Sequence, residues 1–223
     1  MSLFDTTIGL IAPHYCVECS GTGAVLCKEC AFSTTQLPSI CYVCAKATKA
    51  YMPCSVHNSS RAPKHVYVAV SYEGVAKKLM HAYKFDCKRA AVKDVAFAMD
   101  LWLPFIDPIS TLTWVPTLPG HVRQRGFDHT KLLAKEFGKL RNIKPIATLD
   151  RITTTSQIGA NRAQRKAQLK NAFDIRGAAK INSKNIVLID DVVTTGATIE
   201  ACTKVLYAAG AANVSVVAFA RTP

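Results

Sequence analysis

An α/β fold, its mostly parallel sheet flanked by helices and preceded by a small cysteine-rich module, is what this sequence predicts. Three observations carry the expectation. Residues 186–189, Ile186-Val187-Leu188-Ile189, form an unbroken apolar run, three of the four β-branched, as a strand buried on both faces requires. From residue 65 onward strand-like and helix-like patterns alternate, and before that residue cysteines stand in evenly spaced pairs. At 223 residues and 49 % hydrophobic content the chain can bury one substantial α/β core beside a smaller module.

Taken in order, residues 1–60 hold the cysteine pairs. Cys16 with Cys19 and Cys27 with Cys30 are C-x2-C knuckles, and Cys41 with Cys44 and Cys54 with His57 repeat the arrangement with a histidine in the last place. The short spacer lets two thiolates turn toward one tetrahedral ion, so two structural Zn²⁺ sites are expected. They read as a four-cysteine site followed by a site of three cysteines and His57; an interleaved pairing would use the same residues, and free thiols or a redox pair are the alternative chemistry. With few apolar residues, this zinc-ribbon-like module is expected to melt without metal. Cys87 and Cys202, lacking partner knuckles, are expected as small core residues.

Residues 59–63 read as a linker, and residues 65–223 as the α/β domain. Residues 65–72 suit a strand; residues 72–83 carry Val75, Leu79 and Met80 at helical intervals; residues 90–103 suit a helix stopped by Pro104. A strand at 111–115 runs into the turn Pro116-Thr117-Leu118-Pro119-Gly120, after which His121, Arg123 and Arg125 are suited to holding an anion. A helix through residue 138 follows, with Leu132, Leu133, Ala134 and Phe137 inward and Asp128 at its cap. Short strands are expected at 146–149 and 172–175, a polar basic segment at 150–170, a helix at 197–209 and a last strand at 213–219.

The chemistry concentrates after Ile189. Asp190 and Asp191 close a buried strand, where paired carboxylates can hold sugar hydroxyls or a hydrated divalent cation. Thr194, Thr195, Gly196, Ala197 and Thr198 then let backbone N–H groups close around a phosphate at a helix N-terminus. Apolar residues followed by two aspartates also end strands in Walker B sites and receiver domains, but no Gly-x4-Gly-Lys-Ser/Thr accompanies them here.

Residues 187–199 resemble the 13-residue phosphoribosyl-pyrophosphate (PRPP) motif of type I phosphoribosyltransferases, a Rossmann-like fold. Residues 115–127 and the cysteine knuckles resemble the narrower ComF/GntX branch. The resemblance implies catalytic roles for Asp190, Asp191 and Arg125, with the two aspartates at the ribose hydroxyls and Mg²⁺, and residues 194–198 around the 5′-phosphate. It further implies a pyrophosphate loop of Pro116, Thr117, Arg123 and Arg125, and a closing lid with Arg151, Gln157 and Arg165. Asp128-His129 departs from the branch's usual Asn-Gln, and Gln164 and Gln168 stand where Glu and Asn are commoner.

Two functional classes follow from the resemblance. One is a phosphoribosyltransferase that moves the 5-phosphoribosyl group of PRPP to a nucleobase or other acceptor with release of pyrophosphate. Thr194 stands where 6-oxopurine enzymes place an acidic base, so a purine acceptor is not expected. Four residues follow Phe219, so a C-terminal hood is not expected either, and the zinc module folded over the strand ends is a candidate substitute. The other class is a competence protein for DNA uptake in natural transformation, binding single-stranded DNA and a helicase partner with PRPP as ligand or regulator.

Charge bears on both. The chain carries +13 overall, yet residues 1–60 balance to zero, while residues 121–184 hold 15 Lys or Arg against 4 Asp or Glu, a net of +11. Such a region suits a polyanion or the phosphates of a small substrate. No apolar run reaches 18 residues and residues 1–13 lack a signal-like pattern, so a cytoplasmic protein without a membrane span is expected.

Overall fold

The computed structural model describes residues 13–86, 88–153, 169 and 171–223. Its centre is a four-stranded sheet in the order β1-β6-β5-β2, with β1 His65–Ser71, β2 Thr111–Trp114, β5 Asn185–Val193 and β6 Asn213–Arg221. Every neighbouring pair is parallel: Trp114 faces Ile189, and Ile189 faces Val217. The α/β class is therefore what the patterns anticipated, and β5 is buried along almost its whole length.

Alternation along β5 divides its side chains between two cores. Val187 and Ile189 point to the face covered by α2 (Gly74–Lys84), α3 (Ala91–Trp102) and α5 (His129–Leu140), against Met80, Met99 and Phe137. Ile186 and Leu188 point to the face covered by α6 (Ala197–Ala208), against Ile199, Cys202 and Leu206. Cys202 is fully buried, as a core cysteine should be, and Cys87 lies outside the described residues.

Some local expectations shift. Residues 119–125, expected as a turn and loop, form a short helix, α4 (Pro119–Arg125). Proline at its start is preorganised for helix and has no N–H to leave unpaired, and Gly126, at φ 77°, ends it in the left-handed region. The strand expected at 146–149 appears as β3 Leu149–Arg151, paired antiparallel with β4 Phe173–Ile175 in a separate ribbon. Ile146 instead gives its N–H to the Leu112 carbonyl at 2.9 Å, along the free edge of β2.

The N-terminal segment is stitched to the sheet. Residues 35–37 run antiparallel along the outer edge of β1: Ser71 N donates to the Thr35 carbonyl (3.0 Å) and Leu37 N to the Ala69 carbonyl (3.1 Å). On one side of that crossing, Cys16, Val25, Leu26 and Ala31, the last in α1 (Lys28–Phe32), join the core beneath α3. On the other, Cys41, Tyr42 and Val43 join the core beneath α6.

The first attachment hangs on Asp94 of α3, whose carboxylate accepts the N–H groups of Val25 (2.8 Å) and Leu26 (2.9 Å). Asp94→Ala would leave two partly buried donors unpaired, and a loss of about 2 kcal/mol in urea unfolding is the expected result. A loss below about 0.5 kcal/mol would mean that water replaces the carboxylate at no penalty.

Candidate functional site

Because β2 and β5 are parallel neighbours, the chain leaves both at the same end of the sheet, the position where open α/β sheets hold ligands. Asp190 and Asp191 stand at that end, still in β5 and both buried. Thr194 and Thr195 follow, and Gly196 (φ 76°) turns the chain into α6, whose first turn receives no side-chain bond from its cap residue. Within this turn, Ala197 N donates to the Thr195 hydroxyl at 3.4 Å. Backbone N–H groups at a helix N-terminus above a strand end form a seat for an anion.

Across from this loop, the second strand end contributes Val115, Pro116 and Thr117 and then α4. Thr117 donates to Asp128 Oδ1 at 2.7 Å, and the same oxygen accepts Lys131 N at 3.1 Å, so Asp128 is the cap of α5. Arg125, in the last turn of α4, donates to His129 Nδ1 at 2.9 Å and stacks over Phe85 at 5.6 Å. Pro116 is buried, Thr117 half-buried and Arg123 exposed. Gln157 and Arg165 lie outside the described residues, which leaves Arg151 as the described member of the expected lid.

Two residues to which sequence reading gives no site role complete the site. Lys84, the last residue of α2, places Nζ 2.7 Å from Asp191 Oδ2, and His129 Nε2 reaches the same oxygen. With Nδ1 accepting from Arg125, His129 carries its proton on Nε2 and donates it to Asp191. The Tyr83 hydroxyl donates to the His129 carbonyl at 2.7 Å and holds the start of α5 against α2. Lys84, Asp191, His129 and Arg125 thus form one chain of contacts tying α2, β5, α5 and α4 together. The Asp128-His129 departure has a role: one residue caps the helix and the other links Arg125 to the acidic pair.

The two aspartates are electrostatically unequal. Burial alone would raise Asp191, but the Lys84 ammonium and His129 outweigh it and hold the carboxyl well below its usual range. Asp190 is pushed up to about 7 by burial and by the neighbouring Asp191 charge, against the pull of the Asp191 N–H, Lys84 and Arg151. His121, at the rim, is pushed down by partial burial and by the electrostatic influence of Arg125, His129, Arg151 and Lys84. Cations from α2, α4 and β3 therefore converge on one strand end, a field suited to a multiply charged anion.

A divalent cation does not fit Asp191 as a direct ligand. Its Oδ2 is taken by Lys84 and His129, and its Oδ1 accepts Val192 N at 2.5 Å. Asp190 accepts Asp191 N at 2.9 Å through one oxygen, leaving the other to meet a ligand hydroxyl.

The cysteine clusters do fit metal. Cys16, Cys19, Cys27 and Cys30 bring their sulfurs within 4.8 Å of one another, and so do Cys41, Cys44 and Cys54 with a ring nitrogen of His57. Cys54 Sγ is 3.2 Å from His57 Nδ1, and Cys44 Sγ is 3.7 Å from Cys54 Sγ. The pairing is sequential, a four-cysteine group then a group of three cysteines and a histidine, and both donor sets are compatible with zinc. Cys16 and Cys41 are lowered to about 6: burial alone would raise them, but bonds from neighbouring backbone N–H groups outweigh it.

No protein-family model matches the chain. It is similar to the DNA utilization protein YhgH of Salmonella typhi, 30 % identical over 210 residues that cover 88 % of this chain and 90 % of that one. The YhgH protein of Escherichia coli K12 is 28 % identical over the same coverage. Competence protein F of Haemophilus influenzae is 29 % identical over 112 residues, 48 % of this chain and 49 % of its own length. Among solved structures, an allosteric regulatory enzyme of purine biosynthesis overlaps 57 % of this chain and 25 % of its own, at 18 % identity and a TM-score of 0.41. No helix among the described residues is long and apolar enough to cross a membrane.

Proposed function

As a member of the ComF family, to which YhgH and competence protein F belong, this chain, we propose, binds PRPP at the end of β5 and acts as a phosphoribosyltransferase toward an acceptor not yet identified. The observation that carries the reading is the pairing of a glycine-started helix N-terminus with Asp190 on one side and a cluster of cations on the other. In this assignment the 5′-phosphate lies against the N–H groups of residues 194–198. A ribose hydroxyl meets Asp190, and the pyrophosphate faces Arg125 and Arg151.

Chemically, the bond between the anomeric carbon and the pyrophosphate oxygen breaks, and the acceptor's lone pair forms the new bond to that carbon. Pyrophosphate leaves with the electron pair of the broken bond, and Arg125, fixed by His129 and by the Phe85 ring, stabilises its growing charge. Asp191 stays an internal anion that sets Lys84 and His129 in place. Magnesium enters as the counter-ion that pyrophosphate carries in solution, with no side chain assigned to it.

Calorimetric titration of the full-length, zinc-loaded protein with PRPP and Mg²⁺ tests the reading. Saturable binding is expected, weakened at least about tenfold in Asp190→Asn, which keeps the shape but removes the charge. Equal affinity in the variant would remove Asp190 from the site, and no binding to the intact protein would sink the PRPP assignment.

A second reading rests on the basic excess and on the relatives' names. Lys135, Lys139 and Lys144 line a groove of about 450 Å³ between the end of α5 and residues 142–145. A competence role for this surface predicts single-stranded DNA binding that falls steeply with salt. A protein acting on small molecules alone would show no such binding.

A further inference from the structure

The two cysteine clusters stand in different relations to the site. The first is fastened to Asp94 on α3, through the residues between Cys19 and Cys27. The second presents Tyr42 and Val43, the two residues between Cys41 and Cys44, to the loop that leaves β5. A Cβ built on Gly196 would lie 2.7 Å from two ring carbons of Tyr42 and 3.5 Å from a methyl of Val43. Tyr42 is 2 % exposed and Cys41 wholly buried, and the Tyr42 carbonyl accepts from Arg221 Nε at 3.4 Å, at the end of β6. The tip of this knuckle is therefore the wall against which the loop rests.

We propose that the Cys41, Cys44, Cys54 and His57 cluster sets the conformation of residues 194–198 through the Tyr42 ring, so that metal at this cluster governs how well the loop holds a phosphate group. This rests on the assignment of the 5′-phosphate to that loop. The physics is direct. Gly196 has no side chain of its own and sits at φ 76°, so its conformation is selected by what packs on it. The position of Tyr42 is fixed in turn by its two flanking metal ligands. Without metal the knuckle is a short loop free to move, the ring departs, and residues 194–198 must be ordered again each time a ligand binds. Ordering even one such residue lowers affinity by about tenfold.

Amide hydrogen exchange of residues 194–199 in the full-length protein, beside PRPP titration, decides the matter. His57→Ala and Tyr42→Ala are expected to speed exchange in this loop by about tenfold or more, and to weaken PRPP by a similar factor. Tyr42→Phe, which keeps the ring, should restore both. Asp94→Ala, which loosens the first cluster, should leave both as they are while speeding exchange at Val25 and Leu26. Unchanged loop exchange in Tyr42→Ala, or an equal rise in Asp94→Ala, would overturn the proposal. If His57→Ala fails to fold, the contrast between Tyr42→Ala and Tyr42→Phe still separates the two outcomes. If the intact protein binds no PRPP, the ligand assignment falls, while the exchange data still decide whether this cluster controls the loop.

Discussion

Chelation of the purified protein is expected to release zinc from both clusters and to lower its thermal midpoint by about 15 °C or more, because structural zinc contributes on the order of 10 kcal/mol to small metal-bound folds. The size of the effect follows from where the clusters sit. Cys16, Val25 and Leu26 are part of the core under α3, and Cys41, Tyr42 and Val43 part of the core under α6. Losing the metal therefore opens both faces of the sheet. Calorimetry with a colorimetric zinc assay on the same sample is the check. A midpoint that stays put after complete zinc release would show that packing alone maintains the clusters.

Lys84→Met should be the most damaging single substitution near the site. The methionine keeps the apolar stem but removes the ammonium 2.7 Å from Asp191, leaving two adjacent buried carboxylates with His129 as the close partner. Breaking a buried pair by removing one member costs about 3–5 kcal/mol. The Lys84 side chain is 15 % exposed and His129 remains, so a loss of about 2–3 kcal/mol is expected in urea unfolding. Adding Asp191→Asn to the same chain should recover much of it, since the uncompensated charge is then gone. Losses that simply add in the double variant would mean that Lys84 acts through packing rather than through its charge.

How much of this is legible in the sequence depends on whether the signal is local. The β5 strand, its two aspartates and the small-residue loop occupy one continuous stretch, and their order along the chain dictates strand, turn and helix. The knuckle spacings are likewise local, and the sequential grouping of the ligands agrees with the simpler of the two pairings that the spacing allows. Lys84 and His129 are not legible as site residues, because their meaning comes from a meeting of three elements 45 and 62 residues apart in sequence. A lysine closing a helix looks like a solvated end, and only the packing of α2 and α5 brings it and His129 onto Asp191. The short helix Pro119–Arg125 is hidden for another reason: proline and glycine mark turns as readily as they mark the ends of a brief helix.

The crossing of residues 35–37 along β1 has a consequence for how the protein behaves in a crowded solution. A parallel sheet exposes a row of unpaired N–H and C=O groups at each margin, a template on which another chain can nucleate cross-β growth. Here Thr35 and Leu37 occupy that row on β1, joined by Tyr51, whose carbonyl accepts Val66 N at 2.9 Å, and Ile146 does the same for β2. Since Thr35 and Leu37 lie between the two cysteine clusters, metal held by those clusters would also hold a guard against aggregation in place, and its loss is expected to expose a sticky margin before the sheet unfolds.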